Sequence, residues 1–266
     1  MATPRQAVVT VASGPHAEIL DKTFTSFAMN PFLELHAFII GDRLPERKIA
    51  GITYHLESPD PSFSHPMRDL YYRRFLFIDQ LGVDYALIVD NSDVLCLQPI
   101  PELPILLRGA TVGACVEHAG SRYMAGQGYT SNYLNAGVTF WNVQASTAMR
   151  RETVERGRSR FRNVEDQLTL NEVVQARYFD DLTILPCQYN YRALLAPTTY
   201  PGWPTVKTLD GVSIYHAYLC VEAAKKLQNL KRNAVLTPLV RDERPLTRLE
   251  QLWRRIRHRF ERHRVK

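Results

Sequence analysis

No apolar run in this chain is long enough to cross a bilayer, and its opening residues, MATPRQAVVTVASG, lack the layout of a secretory leader. The run from Ala7 enters a strand-like pattern at once, so the expectation is a cytoplasmic protein. Cysteine is scarce. Cys96, Cys115, Cys187 and Cys220 are the only four, and no two make a C-x-x-C pair, which argues against a zinc framework. Cys96 and Cys115 lie in apolar runs and read as small core residues, and reduced thiols fit the cytosol. The dinucleotide fingerprint G-x-G-x-x-G is missing, which excludes an ordinary dehydrogenase. There is no internal repeat and no low-complexity tract.

What is present is an ordinary globular composition, 45% hydrophobic and 23% charged over 266 residues, enough to bury one sizeable core. The net charge of +6 is unevenly spread. From Arg244 to Lys266, eight Arg and one Lys face two Glu, a net +7 that leaves the body at −1. Basicity therefore belongs to the tail. The body alternates strand and helix patterns. Strands are expected at 7–12, 33–40, 52–56, 85–89, 111–116, 182–185 and 212–215. Asn135 to Asn142 reads as a loop entering a strand. Helices are expected at 17–28, 67–81, 146–158 with a break near Gly157, and 164–176 with Asn163 as N-cap. This alternation predicts an α/β domain with a mostly parallel mixed sheet and ligands at the carboxyl ends of its strands. The domain spans 1–240, and 241–266 form a separate tail.

The stretch Tyr85-Ala-Leu-Ile-Val-Asp-Asn-Ser-Asp93 carries the most chemistry. A buried-looking strand runs straight into two carboxylates, and unpaired buried charge is costly. A divalent cation resolves that cost. Oxygen ligands of this kind suit Mg²⁺ or Mn²⁺, ions that also hold phosphate oxygens.

A series of short motifs runs in order along the chain: Val9-Thr-Val-Ala-Ser13, Tyr71-Tyr-Arg-Arg-Phe-Leu76, Asp90-Asn-Ser-Asp93, Leu134-Asn-Ala-Gly-Val138, Glu165-Asp-Gln167, Leu185-Pro with Tyr189-Asn190, and a late strand ending at His216. Together they resemble the GT-A glycosyltransferases of family 8, which include glycogenin and bacterial lipopolysaccharide galactosyl- and glucosyltransferases. The resemblance covers roughly residues 7–226. It implies a single Rossmann-like GT-A domain that moves a hexose from a UDP-sugar to a glycan acceptor with Mn²⁺ or Mg²⁺ and with retention. It implies that Thr10, Ala12 and Ser13 line a uridine pocket. His16 stands either where an aromatic stacks on uracil or in an ordinary turn. Arg74 would reach the donor, while Arg73 reads as a solvated helix residue. Asp93 would hold the metal with Asp90 or Asn91 as its partner, Asn91 alternatively touching ribose, and His216 as third ligand. Asn135, Ala136 and Gly137 would touch the donor sugar. Asp166 would position the sugar or act electrostatically, and Gln167 would support a cationic transition state. The family pattern continues past its histidine with Gly and Lys-Pro-Trp, which this chain lacks. Lys225 or Lys226 stands where that diphosphate clamp would be. These departures leave a divergent or inverting sugar transferase, or a non-catalytic nucleotide- or glycan-binding module, as the alternative.

Acceptor contacts are expected from 118–133 and 191–203, both rich in Tyr, Gly or Trp. In the tail, Leu246, Leu249, Leu252, Trp253, Ile256 and Phe260 recur at helical spacing among Arg and His. A basic amphipathic helix of this kind reads as a peripheral anchor on an anionic membrane, beside lipid-linked acceptors such as those of lipopolysaccharide biosynthesis. Specific nucleic-acid binding is not expected, because no recognition motif accompanies the basic residues.

Overall fold

The computed structural model describes residues 3–91, 94–116, 133–159, 166–191 and 211–216. Nine strands occur there: β1 (Gln6–Ala12), β2 (Leu33–Ile40), β3 (Ile52–Glu57), β4 (Tyr85–Val89), β5 (Val94–Cys96), β6 (Val112–Val116), β7 (Leu134–Asn142), β8 (Leu182–Ile184) and β9 (Ile214–His216). Four α-helices accompany them: α1 (Pro66–Phe77), α2 (Leu103–Leu107), α3 (Thr147–Ser159) and α4 (Asp166–Arg177). The main sheet has the order β3-β2-β1-β4-β7-β6-β8. All neighbours are parallel except β7, which runs antiparallel to both β4 and β6. A second sheet joins β5 to β9 antiparallel, with Val94 opposite His216.

The central strands are apolar on both faces because helices cover both. Ala7, Val9 and Val11 of β1 point into a core with Tyr72, Phe75, Met149, Val154, Leu170 and Val173. Val8 and Ala12 point into a second core with Leu20, Phe24, Phe27, Leu103 and Leu107. This period of two is what a strand buried on both sides imposes. The connection from β1 goes outward to β2, whereas β4 lies on the other side of β1. The carboxyl ends of β1 and β4 therefore flank a topological switch point.

Several local expectations are corrected. The helix predicted over 17–28 is two 3₁₀ segments, Gly14–Lys22 and Phe24–Met29, separated at Thr23. Phe24 and Phe27 are three residues apart, a spacing that fits a three-residue turn as well as an α-helix. The helix predicted to 81 ends as α at Phe77 and closes with a 3₁₀ turn, Ile78–Gln80. Gly157 does not break α3. A Cβ there would run into the Tyr72 ring, so glycine serves close helix packing. Tyr72 in turn bonds Thr169 on α4 through its hydroxyl at 2.7 Å. Residues Asn135 to Gly137 belong to β7 itself rather than to a preceding loop. Two short elements, β5 and α2, carry too few residues for a periodic signal. The expected N-cap Asn163, Asp93, Lys225 and Lys226, most of both acceptor segments and the tail lie outside the described residues.

Candidate active site

The start of β7 is irregular. Thr139 pairs with Ala114 and Leu134 with Val116, so β7 uses more residues than β6 between those pairs. The surplus bulges from the ladder. Leu134 and Ala136 face the same core as Trp141, while Val138 and Phe140 face the other, so the alternation flips around Gly137. Bulges of this kind re-aim side chains beside functional sites. Here the bulge lies against the end of β4, where Gly137 offers its carbonyl to the Asp90 N–H at 2.7 Å. The missing side chain of Gly137 makes room for two neighbours. A Cβ on it would clash with the His216 ring and with Asp90 Oδ2.

Four segments meet at this point. Asp90 comes from the end of β4, Asn135 to Gly137 from β7, His216 from the end of β9, and Asp166 with Gln167 from the first turn of α4. Arg74, near the end of α1, fastens three of them. Its guanidinium donates to Asp90, to Asp166 and to the Ala136 carbonyl, the last at 2.8 Å. Burial alone would lower the Arg74 pKa, but the Asp166 and Asp90 carboxylates outweigh it and hold it above the usual arginine range. Burial lifts the Asp166 carboxyl to about 6, with Arg74 opposing the rise and Asp90 adding to it. One cation between two acids leaves the cluster with a formal excess of negative charge when both are ionised.

His216 Nε2 lies 3.7 Å from Asp90 Oδ2. That separation is too long for a hydrogen bond and within the roughly 4 Å span of two ligands about 2.1 Å from one ion. The Asn91 Oδ1 is buried with no hydrogen-bond partner among the described residues, and its amide N–H₂ donates to the His16 carbonyl at 2.7 Å. A carboxylate and an imidazole this close, with an orphaned amide oxygen on the next residue of the turn, fit the chemistry of a Mg²⁺ or Mn²⁺ donor set. Among the described residues no group of three His, Cys, Asp or Glu forms a complete set. Asp93, the third expected donor, lies outside them.

The remaining expected residues divide. Ser13 and His16 stand at the β1 end of the switch point, and the His16 carbonyl is held to the acidic turn by the Asn91 amide. Thr10 is fully buried and gives its hydroxyl to the Val89 carbonyl at 3.0 Å, so its side chain ties β1 to β4. Ala12 is equally buried. Arg73 is spent on Glu57, Asp69 and the Ser58 carbonyl, away from the cluster. Gln167 Oε1 accepts from Asn135 Nδ2 and from the Ala136 N–H, at 3.1 and 3.0 Å. The oxygen that would support a cationic sugar is thus turned into β7. Asn190, noted in the sequence only as part of a motif, joins the cluster through His216 and Asn135. An open cleft of about 560 Å³, lined by Leu76, Asp79, Arg151, Glu152, Glu155 and Arg158, lies on the helical face away from this cluster.

No family model matches the sequence, and a search of curated proteins finds no match. Solved structures do match. The galactosyltransferase LgtC, in complex with donor and acceptor sugar analogues, superposes with a TM-score of 0.59 at 18% identity, over 84% of this chain and 95% of that one. The fold is the GT-A fold of glycosyltransferases. An active-site Gln-to-Glu mutant of LgtC gives 0.60 at 17% identity, over 85% and 95% of the two chains. The bifunctional glycosyltransferase WbbM, in its apo form, gives 0.56 at 15% identity, over 80% of this chain and 45% of that one. The likeness therefore spans most of this chain, and it bears out the GT-A fold that the motif order implied. Among the described residues no helix is long and apolar enough to cross a membrane.

Proposed function

We propose that this chain is a metal-dependent glycosyltransferase that moves a hexose from a UDP-sugar to a glycan acceptor with retention. The observation that carries the reading is the meeting of Asp90, His216, the β7 bulge and Asp166 at the switch point of a GT-A sheet. The structural neighbours support it in one respect, that they are glycosyltransferases.

Asp90 and His216, with Asp93, would hold Mn²⁺ or Mg²⁺, and Asn91 Oδ1 is oriented within the same turn. When bound, such an ion supplies Lewis-acid stabilisation of the charge that grows on the departing diphosphate. The chain's own residues do the rest. Ser13 and His16 border the space for the uridine. The Asn135–Gly137 backbone, brought close by the bulge, contacts the sugar. Arg74 holds Asp90 and Asp166 in fixed positions, so that Asp166 presents negative charge near the anomeric carbon without reorganising. Gln167 fixes the bulge through its oxygen rather than meeting the sugar with it. Lys225 is proposed to contact the diphosphate, and the tail, 241–266, to rest on an anionic membrane near a lipid-linked acceptor.

A screen of UDP-sugars for UDP release, with and without Mn²⁺, tests this reading, with NMR of the anomeric proton reporting retention. Expected are Mn²⁺-dependent release from at least one UDP-hexose and its loss in Asp93→Ala. UDP binding indifferent to both Mn²⁺ and that substitution would overturn it. Flotation of anionic liposomes with a chain cut before Arg244 tests the tail. Undiminished binding would reject the anchor.

A further inference from the structure

We infer that Asn190 is a positioning residue that fixes the tautomer of His216, presenting an unprotonated Nε2 toward Asp90. The inference rests on the proposed metal role of His216, but its geometry stands by itself.

Two backbone N–H groups start a chain of hydrogen bonds whose direction cannot be reversed. A backbone amide can only donate. The Ala136 N–H donates to one end of the Gln167 amide at 3.0 Å, so that end is the oxygen. The Asn135 side chain meets the same oxygen at 3.1 Å and must do so through its N–H₂. The other end of Asn135 is then its oxygen, and the Gly137 N–H independently confirms this by donating to it at 2.9 Å. Asn190 meets that oxygen at 2.8 Å, again through its N–H₂. Its own oxygen is therefore the atom 2.9 Å from His216 Nδ1. An amide oxygen only accepts, so Nδ1 carries the proton. In the neutral ring, Nε2 then holds a lone pair, aimed at the space shared with Asp90 Oδ2.

This order matters because Asp90 works against it. A carboxylate 3.7 Å from Nε2 draws the proton to that nitrogen, which would put an N–H where a metal ligand needs a lone pair. Asn190 holds the proton on the far side. Partners behind a histidine ligand commonly act in this way, and their loss costs about 10–100-fold in metal affinity. The same chain links Gln167 to His216, so the α4 turn and the β9 end are set by one run of amides. Asn190 is buried and reaches this position at the end of the 3₁₀ turn Cys187–Tyr189, whose Cys187 carbonyl accepts its backbone N–H at 3.0 Å.

The test is long-range ¹H–¹⁵N correlation on the full chain labelled at histidine. It is run with chelator and without nucleotide, at a pH where the ring is neutral in each variant. His216→Gln identifies the signal. The expected result is a proton on Nδ1 in the wild type and in Asn190→Asp, which keeps an acceptor for Nδ1–H. In Asn190→Leu the proton moves to Nε2, and Mn²⁺ affinity, read by the EPR signal of free Mn²⁺, falls about 10–100-fold. A wild-type proton on Nε2 overturns the inference. So does an Asn190→Leu spectrum unchanged from wild type. Should Asn190→Leu fail to fold, the wild-type spectrum still decides. Because the spectra involve no metal and no sugar, the tautomer can fail while sugar transfer stands, and the reverse.

Discussion

Arg74 and Arg150 are both buried, and their surroundings differ in kind. Arg150, at the start of α3, has a fully buried side chain that donates to the carbonyls of Phe75 and Val143 at 2.6 and 2.7 Å, to Ser146 Oγ at 2.8 Å and to Asp79 at 2.5 Å. Burial lowers its pKa, and Asp79 only partly opposes this. Arg74 is nearly as buried, yet it faces two carboxylates and one carbonyl. Its pKa is raised. Arg150 neutralises one acid and satisfies loose ends of backbone, so its neighbourhood is complete. The Arg74 cluster, with Asp166 ionised, still carries surplus negative charge and opens toward the strand ends. A complete ion-pair network is a structural joint. One left short of positive charge is prepared for a visitor.

Breaking the joint should have the largest effect. Arg150→Met leaves Asp79 and two carbonyls without their donor, at a cost of about 3–5 kcal/mol in stability. A urea titration checks it, and activity per folded molecule should persist. Arg74→Met should do the converse. Expected is a loss of about 10²–10³-fold in kcat for UDP-hexose turnover, the scale for removing one preorganised electrostatic donor. Its Tm should also rise more on adding Mn²⁺ than the wild-type Tm does, because Asp90 and Asp166 have lost their resident cation. An Arg150→Met protein should show no such extra response. If both variants behave alike, the distinction between joint and site is wrong. Gly137→Ala comes next. Its methyl group displaces His216 or Asp90, and a misplacement near 1 Å costs about 10²-fold in rate. The steady-state kcat of a variant still folded by circular dichroism is the measure.

The smallest effect concerns a partly buried pair belonging to neither arginine. His36 Nδ1 and His55 Nε2 lie 3.0 Å apart across β2 and β3, an arrangement that needs one ring to donate and the other to accept. Burial lowers both pKa values, with Glu34 opposing at His36 and with the neighbouring His36 adding to the fall at His55. The unfolded chain then binds protons more readily than the folded one below about pH 6.5. Stability from this pair is present above that pH and is lost as pH falls through the depressed folded values. Urea midpoints between pH 7.5 and 5 should fall less in His55→Phe than in the wild type. An identical slope in both proteins would remove the pair from the pH response; Asp166 cannot supply such a fall, because its raised carboxyl makes the folded chain bind protons more readily than the unfolded one.

Much of this architecture is legible in the chain. The long apolar strands β1, β2 and β4 announce themselves, since burial on two faces leaves little room for polar residues. The order of the short motifs points to the GT-A fold. The acidic strand end and the histidine at the end of β9 stand out from sequence alone, and Asp90 and His216 do converge. What stays hidden depends on contacts between distant residues. Nothing in Leu134-Asn-Ala-Gly-Val138 states that a bulge will aim it at β4, because a bulge is a property of two strands. Gly157 looks like a helix breaker until Tyr72 is seen against it. Gln167 looks available to a sugar until Ala136 and Asn135 claim its oxygen. Asn190 carries a faint signal, an amide beside an aromatic in a Pro-led turn, but its partners are far off in sequence.

The β5–β9 ribbon has a consequence for the order of assembly. His216 is anchored against Val94, its antiparallel partner from a much earlier part of the chain. Closing so large a loop is entropically expensive, and contacts of this range tend to form late. On a ribosome, Asp90, Arg74 and the β7 bulge can emerge and meet while β9 is still unsynthesised. His216 then reaches its place beside Asp90 only after most of the sheet exists. Competence would arrive as a final docking event, separate in time from the formation of the fold that supports it.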